Sequence, residues 1–141
     1  MIRTYDLQRF VDAQDPVYRQ VCAELAAGEK TSHWMWFVFP QLKGLGHSAT
    51  AEHFGIASKD EAVAYLQHPV LGARLRECTR IVLDAEGRTA AQIFGSPDDM
   101  KFRSSLTLFA AVADELLFRA TIQKYFEGDD QRTIAMLQRA G

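Results

Sequence analysis

Lys101, Ser104 and Ser105 stand at i, i+3 and i+4 within residues 98–109, and Leu108 follows at i+7. On an α-helix these positions share one face, which places an ammonium beside two hydroxyls. Such a set resembles either an activated serine or a small anion site made of one cation and two donors. A plainer reading competes with it: an ion pair between Asp98 and Lys101, with serines that bond back to the helix or let a neighbouring helix pack closely. The second group is the run SHWMWFVFPQ at residues 32–41, which holds both tryptophans of the chain and is followed by Gly44-Leu45-Gly46. Trp34 or Trp36 can stack on a planar ring, His33 can act as a base or hydrogen-bond donor, and Gln41 closes the run with an amide. Arg74, further along, can fork onto a carboxylate or phosphate.

Other chemistries find little support. Gly44 and Gly46 would let a backbone approach an anion, but the rest of a dinucleotide or P-loop pattern is missing, so a plain loop is the simpler reading. His33, His47, His53 and His68 show no HxxxH or HExxH spacing, so no metal site is expected and no cofactor is assigned. Cys22 and Cys78 lie in apolar helical patterns, which suits buried free thiols better than a disulfide. A serine hydrolase is disfavoured because no GxSxG motif exists. Glycosidic hydrolysis would need a carboxylate, for which Asp98, Asp99 and Glu61 are unranked candidates, so the catalytic residues stay unknown.

The elements that must position these groups read as helix, turn, helix. A short helix with Asp6 as N-cap precedes Asp15-Pro16, a cap followed by proline, which opens a helix ending at Gly28. Residues 34–39 are all apolar, so periodicity cannot separate strand from helix there; Ser32 as a cap, Pro40 as a stop and the lack of a partner strand favour a short buried helix. Lys43 to Gly55 reads as loop around one weak turn of helix at Ala49 to His53. Ser58 with Glu61 forms a capping box, His68-Pro69 ends that helix and opens the next, and Ser96-Pro97-Asp98-Asp99 starts a long helix with a bend near Asp114. Asp129 caps the last helix. The expected fold is all-α, a single compact domain over residues 1–141 with about eight short helices.

A chain of 141 residues with 48% hydrophobic and 24% charged content can bury its own core. Its net charge of -2 gives no basic field for nucleic acid or an anionic membrane, so neither is an expected partner. The amino terminus becomes polar before a signal segment can form, and a cytoplasmic location is expected. Oligomeric state is not readable.

Several quoted segments together carry a family resemblance: residues 32–41; Gly44 and Gly46 with Ser48; Glu61-Ala62 with Tyr65-Leu66; His68-Pro69-Val70-Leu71-Gly72 with Arg74-Leu75; and Asp99, Lys101 and Phe102 with residues 104–109. In order and over nearly the whole chain they resemble the domain of unknown function 1810 (DUF1810) family, with mild departures at Phe37 and Leu106. The resemblance implies a mainly helical cytoplasmic protein without an established activity. Members have been labelled calpastatin, and no residue pattern here gives that label a physical basis. A similarity of pattern alone extends to the NADAR group, which implies action on ADP-ribose-like N-glycosidic bonds.

The expectation is a site for a small anionic or nucleotide-like molecule between the aromatic run and the Lys101 helix, formed by His33, Trp34, Trp36, Gln41, Arg74, Lys101, Ser104 and Ser105. The alternative is a non-catalytic interaction or structural domain whose aromatics are core and whose polar groups fix helix packing.

Overall fold

A computed structural model describes residues 5–140. Ten helices follow in order: α1 (Gln8–Gln14), α2 (Tyr18–Ala27), α3 (Met35–Val38), α4 (Ala49–Phe54), α5 (Lys59–Gln67), α6 (Leu71–Asp84), α7 (Ala90–Phe94), α8 (Asp98–Val112), α9 (Leu116–Tyr125) and α10 (Gln131–Ala140). Every regular element among the described residues is a helix, without a strand, and no helix among them is long and apolar enough to cross a membrane. The expectation of about eight helices falls short for two reasons. The weak turn after Gly46 is a full helix, α4, capped by Ser48, whose hydroxyl accepts from the Ala51 amide at 3.1 Å. The bend near Asp114 is a true break, with Ala113 and Glu115 extended and the Glu115 carboxylate drawn onto Arg76 by two bonds of 2.8 Å.

Helix α8 sits at the centre and packs against α3, α5, α7, α9 and α10. Its Phe102, fully buried, stacks on Phe94 with centroids 4.4 Å apart and meets Phe39 edge-on at 4.8 Å. Phe39 therefore anchors the aromatic run onto α8, and each such ring contributes about 2–3 kcal/mol by burial. A second cluster of Phe10, Tyr65, Phe109 and Phe118 fills the space between α1, α5, α8 and α9. One parallel bridge supplements the helices: the Lys43 amide donates to Ile56 O at 2.8 Å and the Ile56 amide to Gln41 O at 2.9 Å. It pins the loop after Gln41 beside the end of α4.

Several expected caps are relocated. Asp6, Asp15 and Ser32 cap nothing; α1, α2 and α3 begin at Leu7, Val17 and Trp34 without a side-chain cap. Ser58 does accept from the Glu61 amide, but the Glu61 carboxylate bonds the Ala57 amide and Arg9 rather than closing a box. The reciprocal box lies at Thr89 and Gln92 instead. Pro69 precedes α6 rather than opening it, and His68 Nδ1 accepts from the amides of Val70 and Leu71. At α10 the capping carboxylate is Asp130, one residue beyond Asp129.

Candidate functional site

The aromatic run is oriented by a residue ten positions upstream. Glu24 of α2, only 5% exposed, accepts from the amides of Thr31 at 2.7 Å and Ser32 at 3.0 Å, the Ser32 hydroxyl at 2.6 Å, Gln20 Nε2 at 2.8 Å and the Trp34 indole at 3.0 Å. Burial alone would raise this carboxyl; the donors of Ser32, Thr31, Gln20 and Trp34 outweigh it and bring it from 4.5 down to about 2. Trp34 is thereby locked in the core at 1% exposure, with no ring face open to a ligand.

Lys30 continues the framework. Its side chain, 6% exposed, donates to Ser32 O at 2.6 Å, pairs with Asp98 Oδ2 at 2.9 Å and lies over the Trp34 ring at 5.1 Å. The other Asp98 oxygen stands 3.7 Å from Lys101, whose ammonium in turn lies 5.4 Å from the centre of the Trp36 ring. Lys101 is thus held between a shared carboxylate and a half-buried indole, with its charge still accessible.

Lys101 and Gln41 form the divide between two depressions. On one side, Met35, Trp36, Phe39 and Phe54 enclose about 10 Å³, room for about one water. On the other side an open cleft of about 300 Å³ is lined by Gln41, Gly46, Lys101, Ser104, Asp130 and Arg132 among others. Three segments distant in sequence meet there: the loop after Gln41, the first turns of α8 and the start of α10. Gly46 is fitted to its place, since a Cβ there would fall 2.7 Å from Ala51 Cβ and 3.2 Å from Gln41 Nε2.

The expected residues therefore separate. Gln41, Lys101 and Ser104 line the cleft, and Trp36 borders the adjoining depression. Ser104 is committed to packing, with its hydroxyl near Met100 O at 3.1 Å and Asp130 Oδ2 at 3.2 Å, as the plainer reading of that helix expected. Ser105 is 1% exposed, and among the described residues its hydroxyl has no hydrogen-bond partner. Arg74 lies away from the cleft, paired with Asp15 at 2.8 Å and stacked over Tyr18 at 4.7 Å. His33 is exposed and lines neither depression.

Among the carboxylates, Glu61 is 3% exposed and bonded to Arg9 and Ala57, Asp98 is paired with both lysines, and Asp99 accepts from the Met100 amide. The acid that does line the cleft, Asp130, escaped sequence reasoning, as did Arg132. The usable signal was the i, i+3 pair of Asp130 and Thr133, a cap by spacing.

Away from the cleft, Tyr18, Cys22, Glu77 and Cys78 cluster between α2 and α6. Cys22 lies 3.8 Å from Glu77 Oε1, Cys78 lies 3.9 Å from the Tyr18 hydroxyl, and Tyr18 donates to Glu77. Burial pushes the Cys78 thiol and the Tyr18 phenol well above their ordinary values, and both cysteines are free thiols. Cys22 is half-buried rather than buried. Among the described residues no three His, Cys, Asp or Glu side chains gather as a metal-binding set.

Comparison with solved structures finds the conserved hypothetical protein Rv1873 from Mycobacterium tuberculosis, 56% identical over 95% of this chain and 97% of that one, with a TM-score of 0.94. A search of curated proteins gives no match. The family model described as "Protein of unknown function (DUF1810)" matches residues 4–137, and with that extent of agreement the chain belongs to the DUF1810 family.

Proposed function

We propose that the chain binds a small anionic, nucleotide-like ligand in the cleft beside Lys101. The observation that carries this reading is the double role of Gln41 and Lys101, which line both the cleft and the aromatic depression. A ligand's anion rests between Lys101 and Arg132, Gln41 reads a polar group, and a planar portion extends along the exposed edge of Trp36. Lys101 is suited to this exchange. Its contact with Asp98 is long at 3.7 Å and part-exposed, so an incoming phosphate replaces a weak partner rather than a strong one. Arg132 is exposed, and among the described residues no carboxylate forms an ion pair with it.

Hydrolysis of an N-glycosidic bond is the finer version of this reading, and it requires a carboxylate next to the ligand. Asp130 is the carboxylate that supports it, since it lines the cleft, whereas Asp98, Asp99 and Glu61 are held by protein partners. The competing reading, a non-catalytic interaction or structural domain, draws on the same structure: Trp34, Ser104 and Arg74 are satisfied within the protein.

Thermal shift separates the two. Adenosine monophosphate, ADP-ribose and inorganic phosphate are titrated into the protein and into Lys101→Met. A ligand at about 100 times its Kd stabilises by about 2.7 kcal/mol, a shift of several degrees, and the variant should lose most of it. No shift with any of the three, or equal shifts in both proteins, defeats the ligand reading.

A further inference from the structure

Asp130 is held in a way a helix cap alone does not require. Its Oδ2 accepts from the Thr133 amide at 3.0 Å, the Thr133 hydroxyl at 2.5 Å and Ser104 at 3.2 Å. Its own amide donates to Thr107 Oγ1 at 2.9 Å, and Arg103 clamps the preceding turn through Gly128 O at 2.8 Å and Asp129 O at 2.9 Å. The backbone is fixed from α8, and the rotamer from Thr133 of α10 with Ser104 of α8. Among the described residues no donor reaches Oδ1, although the residue lines the cleft. A carboxylate oxygen accepts about two hydrogen bonds, so Oδ1 is free to accept from solvent or a ligand at a set position.

The charge pattern around it is mixed. Lys101 and Arg132 suit an anion, while Asp130 repels one and calls for hydroxyl donors, as does the carbonyl of Gln41. A bare polyphosphate would set negative charge against Asp130, whereas a sugar carrying one phosphate matches both ends. The volume agrees: about 300 Å³ is at the low end for ligand pockets and takes a sugar and its phosphate, so the planar portion of a larger ligand lies outside the cleft, along the edge of Trp36.

Resting on the ligand reading above, we infer that the cleft recognises a phosphorylated sugar, its phosphate at Lys101 and Arg132 and its hydroxyls on Asp130 Oδ1 and Gln41. Asp130 is then the residue that distinguishes a sugar phosphate from any other phosphate.

The test compares ribose 5-phosphate with propyl phosphate, which keeps the phosphate and lacks the hydroxyls, by calorimetry on the full chain. In Asp130→Asn the amide oxygen keeps the helix cap, since asparagine caps as well as aspartate, and a donor replaces the acceptor on the cleft side. Asp130→Ser retains the cap while deleting the cleft-side oxygen, and it serves if the first variant folds poorly. The unmodified protein should bind ribose 5-phosphate at least about tenfold tighter than propyl phosphate, and both variants should erase that ratio while binding propyl phosphate as well or better. Equal affinity for the two phosphates in the unmodified protein, or a ratio that survives both substitutions, overturns the sugar assignment and leaves the anion site standing. Binding of neither phosphate to the unmodified protein overturns the ligand reading and this inference with it.

Discussion

Replacing Glu24 by glutamine tests whether one buried carboxylate organises the aromatic run. The two oxygens of Glu24 collect donors from Gln20, Thr31, Ser32 and Trp34. Glutamine retains one carbonyl for the Thr31, Ser32 and Trp34 N–H groups, and its amide group meets Gln20 and the Ser32 hydroxyl, both of which can turn to accept. What is lost is the charge. A carboxyl lowered from 4.5 to about 2 corresponds to about 3 kcal/mol at full strength. Solvent near the surface of α2 screens part of this, leaving about 2 kcal/mol.

The sign follows from the lowered folded value. The stabilisation is fully present above the unfolded carboxyl range and is lost as pH falls through the folded one, between about 4.5 and about 2. Urea unfolding followed by tryptophan fluorescence reads it directly. With a slope of about 2 kcal/mol per molar, Glu24→Gln should lower the midpoint by about 1 M at neutral pH, and the difference should shrink steadily below about pH 4. Glu24→Ala, which strands the buried Trp34 indole N–H and the two part-buried amides of Thr31 and Ser32, should cost about 3 kcal/mol and keep most of its deficit in acid. A glutamine variant within about 0.2 M of the parent, or a deficit unchanged between neutral pH and about pH 3, would refute the account.

Further outcomes follow from the same contacts. Trp36→Phe should leave a blue-shifted emission resistant to acrylamide, because Trp34 is 1% exposed, whereas Trp34→Phe should leave a quenchable signal; similar quenching in both would contradict the placement of the two rings. Gly72→Ala should be among the most damaging single methyl additions, since its Cβ would fall 2.1 Å from Leu66 O; we expect a loss of about 3 kcal/mol, seen as a melting point lower by about 10 °C. Arg9→Leu strands Glu61, 3% exposed, and should cost about 3 kcal/mol, part of which Glu61→Gln in the same chain should restore; additive losses in chemical denaturation would argue against the pair. Lys101→Met should change stability by less than about 1 kcal/mol, because its ion pair is long and part-exposed.

The helical class was legible because most segments carry a clear apolar period between glycine, proline and capping residues. The stripe of Val21 and Leu25 in α2, and that of Leu71, Leu75, Cys78 and Val82 in α6, are the buried faces expected of them. The fate of the aromatic run was not legible, because a segment without alternation gives no direction to any of its side chains. What separates Trp34 from Trp36 is a tertiary bond to Glu24, and the local hint was only an acid set between Val21 and Leu25 on a buried face. The α8 face shows the same limit more finely. Spacing places Lys101, Ser104 and Ser105 within about 100° of one another, yet that arc straddles the edge of the core. Ser105 turns inward, Ser104 turns to Asp130, and Lys101 turns out to Trp36, so only part of one helical face reaches the cleft. Cap spacing also explains why Asp130 was missed: a residue placed by its role in starting α10 was read as local, and Asp129 was chosen in its place. The cleft exists because that cap faces α8 across the loop after Gln41, a meeting of three segments that no window of sequence contains. If Asp130 serves both as cap and as ligand acceptor, its two oxygens have separate tasks, and substitutions that preserve the cap can remove one without the other.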